Sequence, residues 1–125
     1  MNWDSLPADV RAAVDAAQSK FAFGAVVLDL REMHAFTSYF VICSAASAPQ
    51  LQAIAEEVDA RLEAHGRHPL HREGSRGGQW TLLDYGSFVV HIFHEQARQF
   101  FDLERLWRSA KRLEIPDDRP RQAAS

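Results

Sequence analysis

The stretch Tyr39-Phe40-Val41-Ile42-Cys43-Ser44-Ala45-Ala46-Ser47-Ala48-Pro49-Gln50-Leu51, continuing to His65, joins two unlike patterns. Its first five residues are a continuous apolar run rich in β-branched and aromatic side chains, the pattern of a strand buried on both faces. From Ser47 the period changes. Leu51, Ile54, Ala55, Val58 and Leu62 recur at helical spacing, while Glu56, Glu57, Asp59, Arg61 and Glu63 fill the opposite side. Ser47 and Gln50 have capping-box spacing, in which each side chain satisfies an orphan backbone N–H of the other. Gly66 stands where a helix ends in a left-handed residue, and Pro69 lies just beyond. A buried strand feeding an amphipathic helix predicts a crossover packed on a sheet.

Outward from this unit, Ala25 to Leu30 is a second doubly buried strand. A helix precedes it at about 6 to 19, with Ser5 as cap, Pro7 in the first turn, and Val10, Val14 and Ala17 on one side. On the other flank, His68 to Glu73 reads as a short strand, and residues 74–78 as a turn whose glycines permit positive φ. Trp80 to Tyr85 and Phe88 to Phe93 form an antiparallel hairpin around Gly86-Ser87. A last helix runs from Glu95 to about Ala110, with Ala97, Phe100, Leu103, Leu106 and Trp107 at core spacing and Phe101 beside that stripe. Residues 111–125, with Pro116 and Pro120, read as a flexible tail. The expected architecture is one α/β domain over residues 1–110, a mixed five-stranded sheet flanked by helices.

Composition narrows the class. At 46% hydrophobic and 25% charged the chain is neither disordered nor membrane-spanning in type, and its apolar runs are strand-sized. The N-terminus has no basic segment leading into an apolar stretch, so the expected location is the cytoplasm. Cys43 is the sole cysteine, which excludes an internal disulfide and a multi-thiolate zinc site. A net charge of −3 leaves no global cationic field of the kind direct nucleic-acid binding usually shows, so a protein partner is the easier expectation.

Catalytic constellations are weak. His65, His68 and His71 repeat every three residues, but Gly66 and Pro69 break the helix that would align them, and a strand would alternate their faces. Exposed histidines around a helix end are the plainer account. His91 lies inside Val89-Val90-His91-Ile92-Phe93 and should be half-buried and hydrogen-bonded. A two-metal transferase site needs paired carboxylates, yet Asp84 is followed by Tyr85 and Gly86, and Asp29 and Glu32 point apart. Cys43 reads as a small buried hydrophobe. The aromatic set Trp80, Tyr85, Phe88, Phe93, Phe100, Phe101 and Trp107 is larger than such a sheet should bury, so an exposed patch around Trp80 and Tyr85 is expected, unless the sheet is covered on both sides.

Several motifs occur together from about Phe21 to Trp107: Leu28-Asp29-Leu30-Arg31-Glu32, Thr37-Ser38-Tyr39-Phe40-Val41-Ile42-Cys43-Ser44, Gln50, Glu73-Gly74, Trp80-Thr81-Leu82-Leu83-Asp84-Tyr85-Gly86, Val89-Val90-His91-Ile92-Phe93 and Phe101-Asp102-Leu103-Glu104-Arg105-Leu106-Trp107. In this order and spacing they resemble the ribosomal silencing factors, also called Iojap-like. The resemblance implies a nucleotidyltransferase-like fold without catalytic residues or cofactor, usually a homodimer. It implies binding to ribosomal protein L-fourteen on the large ribosomal subunit, which blocks the small subunit and represses translation. A role in large-subunit assembly, or less readily a working transferase, are the alternatives. Carried over by motif, the partner-binding face would include Trp80, Asp84, Tyr85, His91, Phe93 and Phe101, with Glu73 and Arg98 nearby. Ser38, Ala45 and Ser87 depart from the family pattern, which has Asp, Gly and Asp there, so the contact could rest on acids or on aromatics.

Overall fold

Two parallel strands, β2 (Tyr39–Ala45) and β5 (Phe88–His94), form the centre of the sheet in a computed structural model that describes residues 1–74 and 77–118. Around them lie β1 (Phe23–Asp29), β3 (His71–Gly74), β4 (Trp80–Asp84) and β6 (Lys111–Glu114), in the order β3-β4-β5-β2-β1-β6. All pairings other than β2 with β5 are antiparallel. The mixed α/β class is as expected, and the strand count is corrected from five to six.

The sixth strand comes from the segment expected to be tail. Lys111–Glu114 pairs with β1, setting Leu113 opposite Val27, and the Ile115 N–H donates to the Ala25 carbonyl at 2.9 Å. As an edge strand it carries only the alternating pair Leu113 and Ile115 as apolar residues, too short a pattern to separate from a loop. The remainder of the tail, residues 119–125, lies outside the described residues.

The crossover between β2 and β5 is α2 (Ala48–Ala64), whose buried stripe is the expected Leu51, Ile54, Ala55, Val58 and Leu62. Ser47 caps it, its hydroxyl accepting from the Gln50 N–H at 3.2 Å. The return half of the capping box is absent. The Gln50 side chain instead accepts from the Ala46 N–H and donates to the Lys20 and Phe21 carbonyls, tying the helix start to the approach to β1. At the far end Arg67 N–H reaches the Leu62 carbonyl and Gly66 N–H the Glu63 carbonyl, a Schellman closure that requires the left-handed φ of +76° at Gly66. α1 (Ala8–Ser19) starts at Pro7 rather than under a Ser5 cap, since Ser5 belongs to a preceding 3-10 turn.

One sheet face lies under α1 and α2. The row Val27, Val41, Val90 and Leu83, aligned across four strands by register, is fully buried there. The opposite face carries the row Val26, Ile42, His91 and Leu82 and is covered more thinly, by α3 (Glu95–Phe101), α4 (Leu103–Leu106), Met33 and Ala35. Here the single helix expected over 95–110 is corrected to two. Asp102 adopts φ 47° and ψ 50°, a left-handed conformation that short acidic side chains tolerate and that ends α3. The break leaves Ala97, Leu103 and Trp107 against the sheet and turns Phe100 and Leu106 outward, at 82% and 76% exposure.

The packing of the sixth strand is testable. Ile115→Ala should lower unfolding free energy by about 2–4 kcal/mol in urea titration, the usual cost of truncating a buried aliphatic side chain. A change within experimental error would mean that the segment is the flexible tail its composition implies.

Candidate functional site

Trp80 sits on β4 opposite Phe93 of β5, and alternation places it with Leu82 and Asp84 on the thinly covered face. Its indole stacks on Phe93 with centroids 4.9 Å apart and meets Phe101 at 5.1 Å; Phe101 in turn stands edge-on to Phe100 at 5.2 Å. The rings therefore form a ladder from the core to solvent. Phe93 is sealed, Trp80 half-buried, Phe101 46% exposed and Phe100 almost free. Beside Trp80 opens a cavity of about 430 Å³ bounded by Glu73, Gly74 and Leu82.

His91 is more deeply buried than the half-buried position expected. Its Nδ1 accepts from the Trp80 indole N–H at 3.2 Å, and Phe40 stands edge-on to it at 4.6 Å. With Nδ1 accepting, the neutral ring carries its proton on Nε2, which has no hydrogen-bond partner among the described residues. Burial pushes its pKa down to about 4. It orients Trp80 and is shielded from contact with any partner.

The other expected residues divide. Glu73 is exposed on the edge strand β3, 3.0 Å from His71. Asp84 holds the hairpin, its carboxylate accepting from the Gly86 N–H at 2.8 Å. Tyr85 departs from the expected patch: its ring is buried on the face under α1 and α2, stacked on Phe88 at 5.0 Å, with its hydroxyl pushed up to about 12 by burial. Arg98 is a structural tie. Its guanidinium forks onto Glu104 at 2.9 and 3.1 Å and donates to the Gly24 carbonyl and the Ser44 hydroxyl, binding α3 to β1 and β2. Gly24 holds a left-handed φ of 62°, strained for any other residue, and a Cβ there would lie 2.9 Å from the Arg98 guanidinium and displace it. Arg98 and Arg112 hold the Glu104 carboxyl below its ordinary range.

The exposed aromatic patch thus keeps Trp80 but extends onto α3 through Phe101 and Phe100 rather than along the hairpin to Tyr85. Phe100 and Leu106, expected at core spacing, stand exposed there beside Arg105 and Arg108, which the sequence reading did not single out. The signal was the doublet Phe100-Phe101: neighbours on a helix are about 100° apart, so both rings cannot face one sheet.

Transferase chemistry has no geometric basis in Asp29 and Asp84. They lie three strand spacings apart, about 14 Å, and on opposite faces, whereas paired metals need carboxylates around a gap of about 4 Å. Asp29 is held below its usual range by the Arg31 guanidinium, which it accepts in a fork. Cys43 is sealed, and burial pushes its thiol up to about 12. His65 lies 3.8 Å from Asp9, and no cluster of three metal-ligating side chains forms among the described residues.

These features define a class: a mixed α/β protein whose second sheet face ends in an aromatic ladder at the surface. The family described as ribosomal silencing factor during starvation matches residues 4–125, and the chain belongs to that family. The ribosomal silencing factor of Halalkalibacterium halodurans is 34% identical over 106 residues, covering 85% of this chain and 91% of the relative. That of Bacillus subtilis is 35% identical over 101 residues, 81% and 86% of the two chains. A crystal structure from Bacillus halodurans superposes with a TM-score of 0.73 at 33% identity, covering 85% of this chain and 96% of its own.

Burial of His91 carries a pH signature. With an unfolded pKa near 6.5 and a folded one near 4, the unfolded chain takes up the proton first, so stability is complete above pH 6.5 and falls as pH drops toward 4, by about 3 kcal/mol in total. Urea unfolding of wild type and His91→Leu at several pH values should show a flatter profile for the variant across this window. Parallel profiles would contradict the assignment.

Proposed function

We propose that this protein docks on the large ribosomal subunit through ribosomal protein L-fourteen and represses translation by occluding the small subunit, without catalysis or cofactor. Family membership along nearly the whole chain supports the ribosomal assignment. The observation that carries the docking surface is the ladder Phe93, Trp80, Phe101 and Phe100, which brings aromatic rings out of the core beside an open cavity. Trp80 and Phe101 are the anchors in this reading, Glu73 and Asp84 supply acidic character at the rim, and His91, Phe93 and Arg98 hold the anchors in place. Large flat rings bury much area at low entropic cost, which is why such residues dominate protein contacts. An acidic rim would meet a basic ribosomal protein favourably, and no chemistry is required, because occlusion depends on volume alone.

The same reading places the factor in the cytoplasm as a homodimer. No described helix is long and apolar enough to cross a membrane. Light scattering should give twice the chain mass of 14.1 kDa.

Co-sedimentation with purified large subunits tests the surface. Trp80→Ala and Phe101→Ala should each weaken binding about thirtyfold, the loss of about 2 kcal/mol typical of a central anchor, with circular dichroism unchanged. Wild-type binding by both folded variants would remove the ladder from the interface. In a subunit-joining assay the wild-type protein should lower the yield of joined ribosomes.

A further inference from the structure

The break at Asp102 opens a cleft between α3 and α4 that takes in only the two outermost rings of the aromatic ladder, Phe100 and Phe101. Its rim carries Gln99, Phe100, Arg105, Leu106, Arg108 and Ser109, with Asp102 the one acid among the described lining residues. Four arginines lie between positions 98 and 112, and they divide into two kinds. Arg98 and Arg112 share Glu104, at 2.9 and 2.7 Å, so that carboxylate is already taken. Arg105 and Arg108 are exposed and make no ion pair among the described residues. The cleft therefore presents two free guanidinium groups against one carboxylate, on a chain whose total charge is −3. Phe100 lines the same cleft, 82% exposed, with Phe101 edge-on to it at 5.2 Å.

We infer that this cleft binds single-stranded RNA, with Arg105 and Arg108 on phosphates and the ring of Phe100 as a stacking platform for a base. An acidic peptide would also satisfy the charge, but its carboxylates offer no flat face to the exposed ring of Phe100. A projecting aromatic ring next to unpaired guanidiniums suits a base and its backbone, since every base offers a flat face and each phosphate a charge. Gln99 and Ser109 add hydrogen-bonding groups on the rim. The inference deepens the ribosomal reading, on which it rests for the source of the RNA: the anchors Trp80 and Phe101 meet protein, and the cleft, through Phe100, meets the RNA beside it.

The test is fluorescence anisotropy with a labelled oligouridylate of about twelve nucleotides, titrated with the full chain between about 50 and 200 mM salt. Wild type should bind, and more weakly as salt rises. Arg105→Glu/Arg108→Glu should lose at least tenfold in affinity, with the log–log salt slope reduced by about 1.4, from roughly 0.7 per single-strand phosphate contact. Phe100→Ala should lose about tenfold with the slope unchanged, as expected for a stacking contact. Arg11→Glu/Lys20→Glu, an equal change of charge on α1 and its end, should behave as wild type. No binding by wild type at the lowest salt, or equal losses in the two charge-reversed variants, overturns the proposal. So does loss of binding to the isolated ribosomal protein by Arg105→Glu/Arg108→Glu, which would make the cleft a protein contact. Oligouridylate binding by a wild-type chain that fails to co-sediment with large subunits would leave the cleft assignment standing and remove the ribosomal one.

Discussion

The parallel pairing of β2 with β5 constrains the rest of the molecule. Both strands are central, so both of their faces must be kept from water, and the register fixes what each face offers. Val41 and Val90 point to one side, where α1 and α2 supply two full helices of cover. Ile42 and His91 point to the other, where the chain has left only α3, α4 and a short connection. Aromatic side chains make up the deficit: Phe40, Phe93, Trp80 and Trp107 fill the space that a longer helix would have occupied, and their stacking continues past the edge of the core. An exposed ladder is the consequence of covering a two-sided sheet with unequal layers.

His91 marks the cost of this arrangement. A buried imidazole with an unpaired N–H costs on the order of 1–3 kcal/mol. An aliphatic residue would pack there without that penalty, but could not accept from the Trp80 indole and set its orientation. The second fixed point is Arg98, whose fork on Glu104 clamps α3 to α4 across the left-handed Asp102 while its remaining nitrogen anchors both to the sheet. Because Glu104 also takes Arg112, the same carboxylate joins the break to the edge strand β6. The aromatic ladder and the fold are thus held by one small polar network.

The pattern of periods made much of this legible. The alternation of Trp80 to Tyr85, the apolar run Phe88 to Phe93 and the stripe from Leu51 to Leu62 correspond to the observed hairpin and crossover because each has one dominant pattern and clear end signals. Legibility failed where two structures share a pattern. Leu103, Leu106 and Trp107 continue the spacing of Ala97 and Phe100, so periodicity cannot reveal a one-residue left-handed break, and Asp is an ordinary helix-surface residue until its φ is known. Leu113 and Ile115 are too few to announce a strand, whose existence depends on the free edge of β1. Tyr85 and Trp80 looked equivalent as large groups on one hairpin; only the position of α1 and α2 decides which of them is sealed.

The face that meets the ribosome is open to direct observation by hydroxyl-radical footprinting of the protein, free and bound to purified large subunits, read by mass spectrometry. Protection on binding should concentrate on Trp80, Phe100 and Phe101, leaving Phe21 and Leu70 as reactive as in the free chain. Protection of Phe21 and Leu70, with the ladder still fully oxidised, would place the contact elsewhere and contradict the link between unequal sheet cover and docking.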